Sequence, residues 1–221
     1  MQEEVSYRKG LKGLILDCRW RWVLIWFIYN GVVFYATRFI TRGRQHVNME
    51  TSIDHSIPFY PTWILVYVFL AYLTWYTGFV LLAAEKRDTV IRYFTAELIA
   101  KTICMIFFLF LPTSMDRPEI VDGSVFDWMT GMIFRADQPN NLFPSIHCME
   151  SWFLARSAHK IGRLGKGLKY YIPAMYITAI LVFLSTLFVK QHVILDVPAG
   201  ILTAEAGLFI SGLIFRKRLE G

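Results

Sequence analysis

Charge is scarce in this chain. Only 18% of its 221 residues are Asp, Glu, Lys or Arg, against about 25% in soluble domains. With a 55% apolar share, a mean hydropathy of +0.42 and several long apolar runs, that scarcity excludes an ordinary soluble domain and indicates an integral membrane protein. Cysteine is nearly absent. Cys18, Cys104 and Cys148 lie in or beside the apolar runs, and no pair has metal or disulfide spacing. There is no internal repeat and no low-complexity tract. No cleavable leader is expected, because the first apolar run, near 22–40, is too long for a signal-peptide core and no small-residue cleavage site follows it. The basic residues behind the net charge of +6 are not interleaved with base-stacking aromatics, so nucleic acid is not an expected partner. On a membrane chain that charge is first a topology signal.

What is present is apolar helix. Six stretches reach or approach the roughly 20 apolar residues that a spanning helix needs. They are 20–40, 60–84, 96–113, 143–158, 170–189 and 193–215. The fourth is short and the most polar; it counts as a span only if neighbouring helices shield it. The expected architecture is therefore all-α: one polytopic membrane domain over residues 1–221, a bundle of six transmembrane helices. Basic residues orient it. Arg8, Lys9, Lys12, Arg19, Arg21, Lys86, Arg87, Arg92, Arg156, Lys160, Arg163, Lys166, Lys169, Arg216, Lys217 and Arg218 fall on one side. Arg38, Arg42, Arg44, Arg117, Arg135 and Lys190 fall on the other. Sixteen against six predicts cytoplasmic termini in a multi-pass cell-membrane protein. The loop over 114–142 is acidic, with Asp116, Glu119, Asp122, Asp127 and Asp137, and is expected outside. Within it, 125–134 (VFDWMTGMIF) is apolar but too short to span. It reads equally as a helix flat in the outer interface, with or without a lid role, and as a packed loop helix.

Three polar clusters fall on the expected outer side. In KQHVILD, His192 and Asp196 stand four apart, which puts them on one face of the first turns of the last helix. A carboxylate there accepts the imidazole Nδ1 proton and leaves Nε2 as a nucleophile or base; the alternative is a histidine merely satisfied near the interface. In FPSIH, Pro144 suits the first helical position. Ser145 and His147 then sit in the first turn, where free N–H groups favour an anion; the alternative is a capped helix start with an incidental histidine. In DRP, Arg117 offers phosphate a planar fork of donors, although a lone loop arginine is also simply solvated. Two histidines with several cations suit phosphoryl transfer without a metal. One imidazole attacks phosphorus, the other protonates the leaving oxygen, and cations hold the equatorial oxygens.

The order Arg-Pro, Pro-Ser-x-His and Ser-x6-His-x3-Asp resembles the type 2 phosphatidic acid phosphatase superfamily, which includes lipid phosphate phosphatases and sphingolipid-type phosphotransferases. The resemblance covers roughly residues 60–215. It implies His192 as nucleophile, Asp196 as its orienter and His147 as general acid, with Ser145 and Arg117 as phosphate ligands. Two cations of the family pattern are missing: Phe110 stands seven residues before Arg117, and Thr186 follows Ser185. Lys190, four residues past Thr186 and one turn on if the helix persists, is the expected replacement for one of them. The function so implied is hydrolysis of a lipid phosphate monoester or diphosphate at the outer face through a phosphohistidine, with neither cofactor nor metal. The substrate would be phosphatidic acid, phosphatidylglycerol phosphate or a polyprenyl diphosphate, and the remaining partners membrane lipids. One alternative is a phosphotransferase of the inositol-phosphorylceramide or sphingomyelin synthase type. The other is a non-catalytic transporter or scaffold. The sequence is silent on oligomeric state. Four further expectations concern isolated groups. Glu97, Lys101 and Glu205 snorkel from inner helix ends. Glu150 is either functional or paired with Arg156 or a hydroxyl. Asp54, His55 and His46 show no metal spacing. The basic stretch HKIGRLGKGLK sets topology and touches anionic lipid.

Overall fold

In hydrocarbon an apolar stretch must satisfy its own backbone, and a helix does so within one segment. The apolar runs of this chain accordingly become helices. A computed structural model describes residue 8 and residues 10–121 and 123–216. Lys9, Asp122, Lys217 and Arg218, counted above for topology or loop charge, lie outside the described residues. α1 (Gly10–Asp17) precedes α2 (Trp20–Gly31), which runs through a π-helical turn at Val32–Ala36 into α3 (Thr37–Thr41). A short strand β1 (Val47–Asn48) and α4 (Ser52–Ser56) follow. A 3-10 turn at Pro61–Trp63 and a π segment at Leu65–Leu70 lead into α5 (Ala71–Ala83). Next come α6 (Arg87–Phe110), β2 (Thr113–Ser114), α7 (Val125–Ala136), α8 (Ile146–Ser157), α9 (Leu168–Phe188) and α10 (Asp196–Arg216). The only described strands, β1 and β2, pair in parallel, Val47 with Thr113 and Asn48 with Ser114. That pair ties the first loop to the end of α6.

Five of the six expected spans are helices long and apolar enough to cross a membrane: Trp20–Thr41, Pro61–Ala83, Arg87–Phe110, Gly162–Phe188 and Asp196–Arg216. The remaining one, expected at 143–158, differs. α8 has 12 residues, about 18 Å at 1.5 Å per residue, against a hydrocarbon core of about 30 Å. Ser145 stops it at one end by capping it, and a 3-10 turn at Ala158–Lys160 follows at the other. α8 is nonetheless the centre of the bundle. Cys148, Met149, Phe153, Leu154 and Ala155 are buried, and α5, α9 and α10 pack around them.

The polar residues of this centre are ordered. Lys101 is fully buried and forms ion pairs with Glu97, at 2.9 Å, and with Glu150. Trp26 Nε1 donates to the same Glu150 oxygen at 3.2 Å. This corrects the expectation that Glu97 and Lys101 snorkel: each lies on the inward face of α6, where a partner of opposite charge replaces water. Glu150 pairs with Lys101 and not with Arg156, whose guanidinium instead meets Glu205 at 2.6 Å. α7 starts at a Ser124–Asp127 capping box. Its Phe126, Met129 and Ile133 pack on Ile64, Tyr67 and Val189, so it is a packed helix over one end of the bundle, with Val125, Trp128 and Met132 facing out.

Candidate active site

The turn between α9 and α10 carries the first histidine. α9 stops at Phe188, and Gln191 and His192 N–H both donate to the Thr186 carbonyl, at 2.9 and 3.2 Å. Lys190 adopts φ 53°, in the left-handed region, so the helix does not persist. His192 therefore lies in a turn before α10 rather than on its first face, and Asp196 is the first residue of α10. The expected pairing still forms. Asp196 Oδ2 accepts from His192 Nδ1 at 2.9 Å and from the Val193 N–H at 3.1 Å. With Nδ1 as donor, the lone pair resides on Nε2.

The second histidine opens α8. Ser145 is the N-cap: its Oγ accepts the Cys148 N–H at 3.2 Å, and its own N–H donates to the Asp196 carbonyl at 3.2 Å. Pro144 thus lies before the cap and Ile146 is the first helical residue, because a serine cap takes extended dihedrals. Gly200 permits the contact between α10 and α8; a Cβ there would meet the Ser145 carbonyl at 2.6 Å. The His147 and His192 ring centroids are 5.8 Å apart. His147 stacks on Tyr67 at 4.4 Å and lies 5.1 Å from Trp75. Its Nε2 is buried without a hydrogen-bond partner.

Arg117 and Lys190 are placed differently from Ser145 and the histidines. Arg117 Nη2 donates to Gln191 Oε1 at 2.6 Å, its Nη1 to the Asp137 carbonyl at 2.5 Å and its Nε to the Lys190 carbonyl at 3.2 Å. The guanidinium also lies 4.5 Å from the Phe134 ring. Arg117 therefore reaches the site through Gln191. Lys190 Nζ donates to the Asp54 carbonyl at 2.8 Å and turns toward the first loop. The left-handed backbone at Lys190 is the reason: it ends the helical spacing that would have placed the side chain beside Thr186. Burial pushes its ammonium below the ordinary lysine value, against the opposing pull of Asp54 and Glu50.

Three residues matter to which the sequence reading gave no part in the site. Gln191 keeps its Nε2 buried and unpartnered; a polar residue between apolar helices was the available signal. Tyr67 reaches His147 from a π-helical turn, an irregularity frequent at functional sites but invisible to hydropathy. Asp54 anchors the histidine turn. Its Oδ1 accepts the Ile194 N–H at 2.7 Å, and its Oδ2 accepts from Thr51 N–H and Oγ. Burial raises the Asp54 pKa, but these donors and Lys190 outweigh it and hold the carboxyl below the usual range. Among the described residues no group of three or more His, Cys, Asp or Glu could hold a metal.

Both histidines and Gln191 open on one cavity of about 610 Å³. Its walls are Trp26, Tyr35, Tyr72, Trp75 and Tyr76, and Arg38, paired with Asp137 at 2.5 Å, stands at its polar end. Fold and site together define an all-α, multi-pass membrane-type chain built around a paired-histidine cavity. No protein-family model, no curated protein and no solved structure matches the chain.

Proposed function

We propose that the chain is an integral membrane enzyme that removes phosphate from a lipid phosphate, a counterpart of the type 2 phosphatidic acid phosphatases it resembles. One observation carries this reading: an aspartate-oriented His192 stands 5.8 Å, ring to ring, from a second histidine in the same cavity. Hydrogen-bond reach is about 3 Å, so one phosphate can touch both rings. His192 Nε2 attacks phosphorus. The bond from phosphorus to the lipid oxygen breaks, and protonated His147 gives its Nε2 proton to that oxygen. A water then attacks the phosphohistidine and gives its proton to His147; the P–N bond breaks and inorganic phosphate leaves.

In place of the missing cations the phosphate oxygens have the Gln191 amide and the free N–H groups at the start of α8, whose N-cap, Ser145, is fully buried behind the cavity wall. Arg117 supports Gln191 from behind. On this reading α8 is a sixth membrane-embedded helix, shielded by its neighbours. Both termini are cytoplasmic and the histidine end faces outward. A second reading is phosphotransfer, with an alcohol replacing the water. The two missing cations, with Phe110 and Thr186 in their places, favour it. Purified protein assayed on a panel of lipid phosphates, with and without alcohols, tests both. Released phosphate supports hydrolysis and a new phosphodiester supports transfer. Full activity of His192→Ala would remove both.

A further inference from the structure

A second cavity, of about 410 Å³, lies between α6, α8 and α10. It is at the other end of the bundle from the histidines. α8 runs to it from Ile146 and α10 from Asp196, each starting at the histidine site. Its lining includes Arg92, Arg156, Lys160, His159 and Glu205. Three cations face one carboxylate. Arg156 and the Trp152 indole, at 2.8 Å, satisfy Glu205. Among the described residues, neither Arg92 nor Lys160 has a carboxylate partner. His159 is held below the ordinary histidine value, by burial first and then by Lys160 and Arg156, so it adds a neutral hydrogen-bonding ring rather than a fourth charge. The apolar side is Phe209, two-thirds exposed toward the surround of α10.

We propose that this cavity binds the phosphate of an anionic phospholipid, with Arg92 and Lys160 as its cationic contacts and Phe209 under the start of its acyl chains. Arginine matches phosphate oxygens in geometry as well as charge, and basic pockets between membrane helices suit lipid head groups. A surplus of cations around a cavity with one apolar side open fits a lipid better than a soluble anion, which would leave Phe209 unused. The site is independent of the phosphoryl-transfer reading, since no residue of it contacts the histidine cavity.

The test is native mass spectrometry of the full chain in neutral detergent, titrated with phosphatidylglycerol or phosphatidylcholine. Phosphatidylglycerol should bind the tighter. The double variant Arg92→Gln with Lys160→Gln should weaken it about thirtyfold and leave phosphatidylcholine unchanged. Anionic lipid held at the histidine cavity is untouched by these substitutions, so the difference reads this cavity alone. Equal binding of the two lipids, or an unchanged double variant, would overturn the proposal. So would displacement of phosphatidylglycerol by glycerol phosphate at comparable concentration, which would assign the cavity to a soluble anion. If the double variant folds poorly, amide exchange of the parent protein decides instead. Protection of 156–160 on adding phosphatidylglycerol supports the site, and no protection overturns it.

Discussion

His192 and His147 differ in what holds them, and the difference separates their roles. His192 is fixed by a carboxylate at Nδ1, which suits a ring that must become positively charged on phosphorylation. His147 is held by aromatic faces with Nε2 free, which suits a ring that delivers a proton. His147→Ala should slow turnover of a lipid phosphate by about 10²–10⁴-fold. A nitrophenyl phosphate needs little proton assistance, so its phosphohistidine should form with far less loss; equal losses in the single-turnover rate of phosphohistidine formation from the two substrates would remove the acid role. Lys101 makes a different residue-scale case. Lys101→Met leaves Glu97 and Glu150 facing each other in a fully buried site, and removing one partner of a buried pair costs about 3–5 kcal/mol. The variant should melt well below the parent in detergent, and adding Glu97→Gln with Glu150→Gln should restore much of the loss. Asp54 has a pH signature. Its folded pKa lies below the ordinary 3.8, so its contribution is complete above that value and disappears as pH falls through the lowered one. Asp54→Asn should therefore narrow its stability gap to the parent in acid melts below about pH 4.

At the scale of elements, close backbone approach places the site. α10 crosses α6 where Gly207 lies against Ala96 and Ala100; a Cβ on Gly207 would overlap the Ala96 carbonyl. Small residues at such crossings let membrane helices pack by van der Waals contact. Gly207→Val should cost about 1–3 kcal/mol of stability by overpacking. Gly31→Ala, where nothing lies within 4 Å, should be neutral or mildly stabilising, and equal thermal shifts in the two variants would contradict the crossing argument. This scale also divides what was legible in the sequence from what was not. The five long helices follow from composition, because hydrocarbon allows little else. The His192–Asp196 contact was legible because both ends lie within four residues, although the turn that makes it is not helical. The direction of Lys190 was not, because it depends on one left-handed residue and on a carbonyl 136 positions away. The Glu97–Lys101–Glu150 cluster was half legible. Its i,i+4 pair is visible in α6, but the third member comes from another helix 49 positions on, and hydropathy assigns such groups to the interface by default.

For the whole molecule the remaining variable is orientation. The histidine cavity and the second, cationic cavity sit at opposite ends of one bundle, so a single assignment of sides fixes both. The basic bias predicts 158–169 in the cytoplasm and 114–142 outside. The cationic cavity would then meet the leaflet rich in anionic lipid, and the histidines would meet substrate at the outer surface. The natural cysteines suit a labelling test. Cys18, Cys104 and Cys148 are all buried, and burial pushes the Cys18 thiol up to about 11, so background reaction with a maleimide should be low. Glu119→Cys and Lys166→Cys place thiols at exposed positions on opposite sides of the predicted membrane. In intact cells an impermeant maleimide should label Glu119→Cys and spare Lys166→Cys, and permeabilisation should expose the latter. The reverse pattern would turn the bundle over, moving the paired histidines to the cytoplasm and their substrate to the inner leaflet. Labelling of both in intact cells would mean that the chain between them does not cross the membrane an odd number of times. That result would exclude the proposal that α8, with its shield of neighbours, completes the crossing between the outer loop and the basic one.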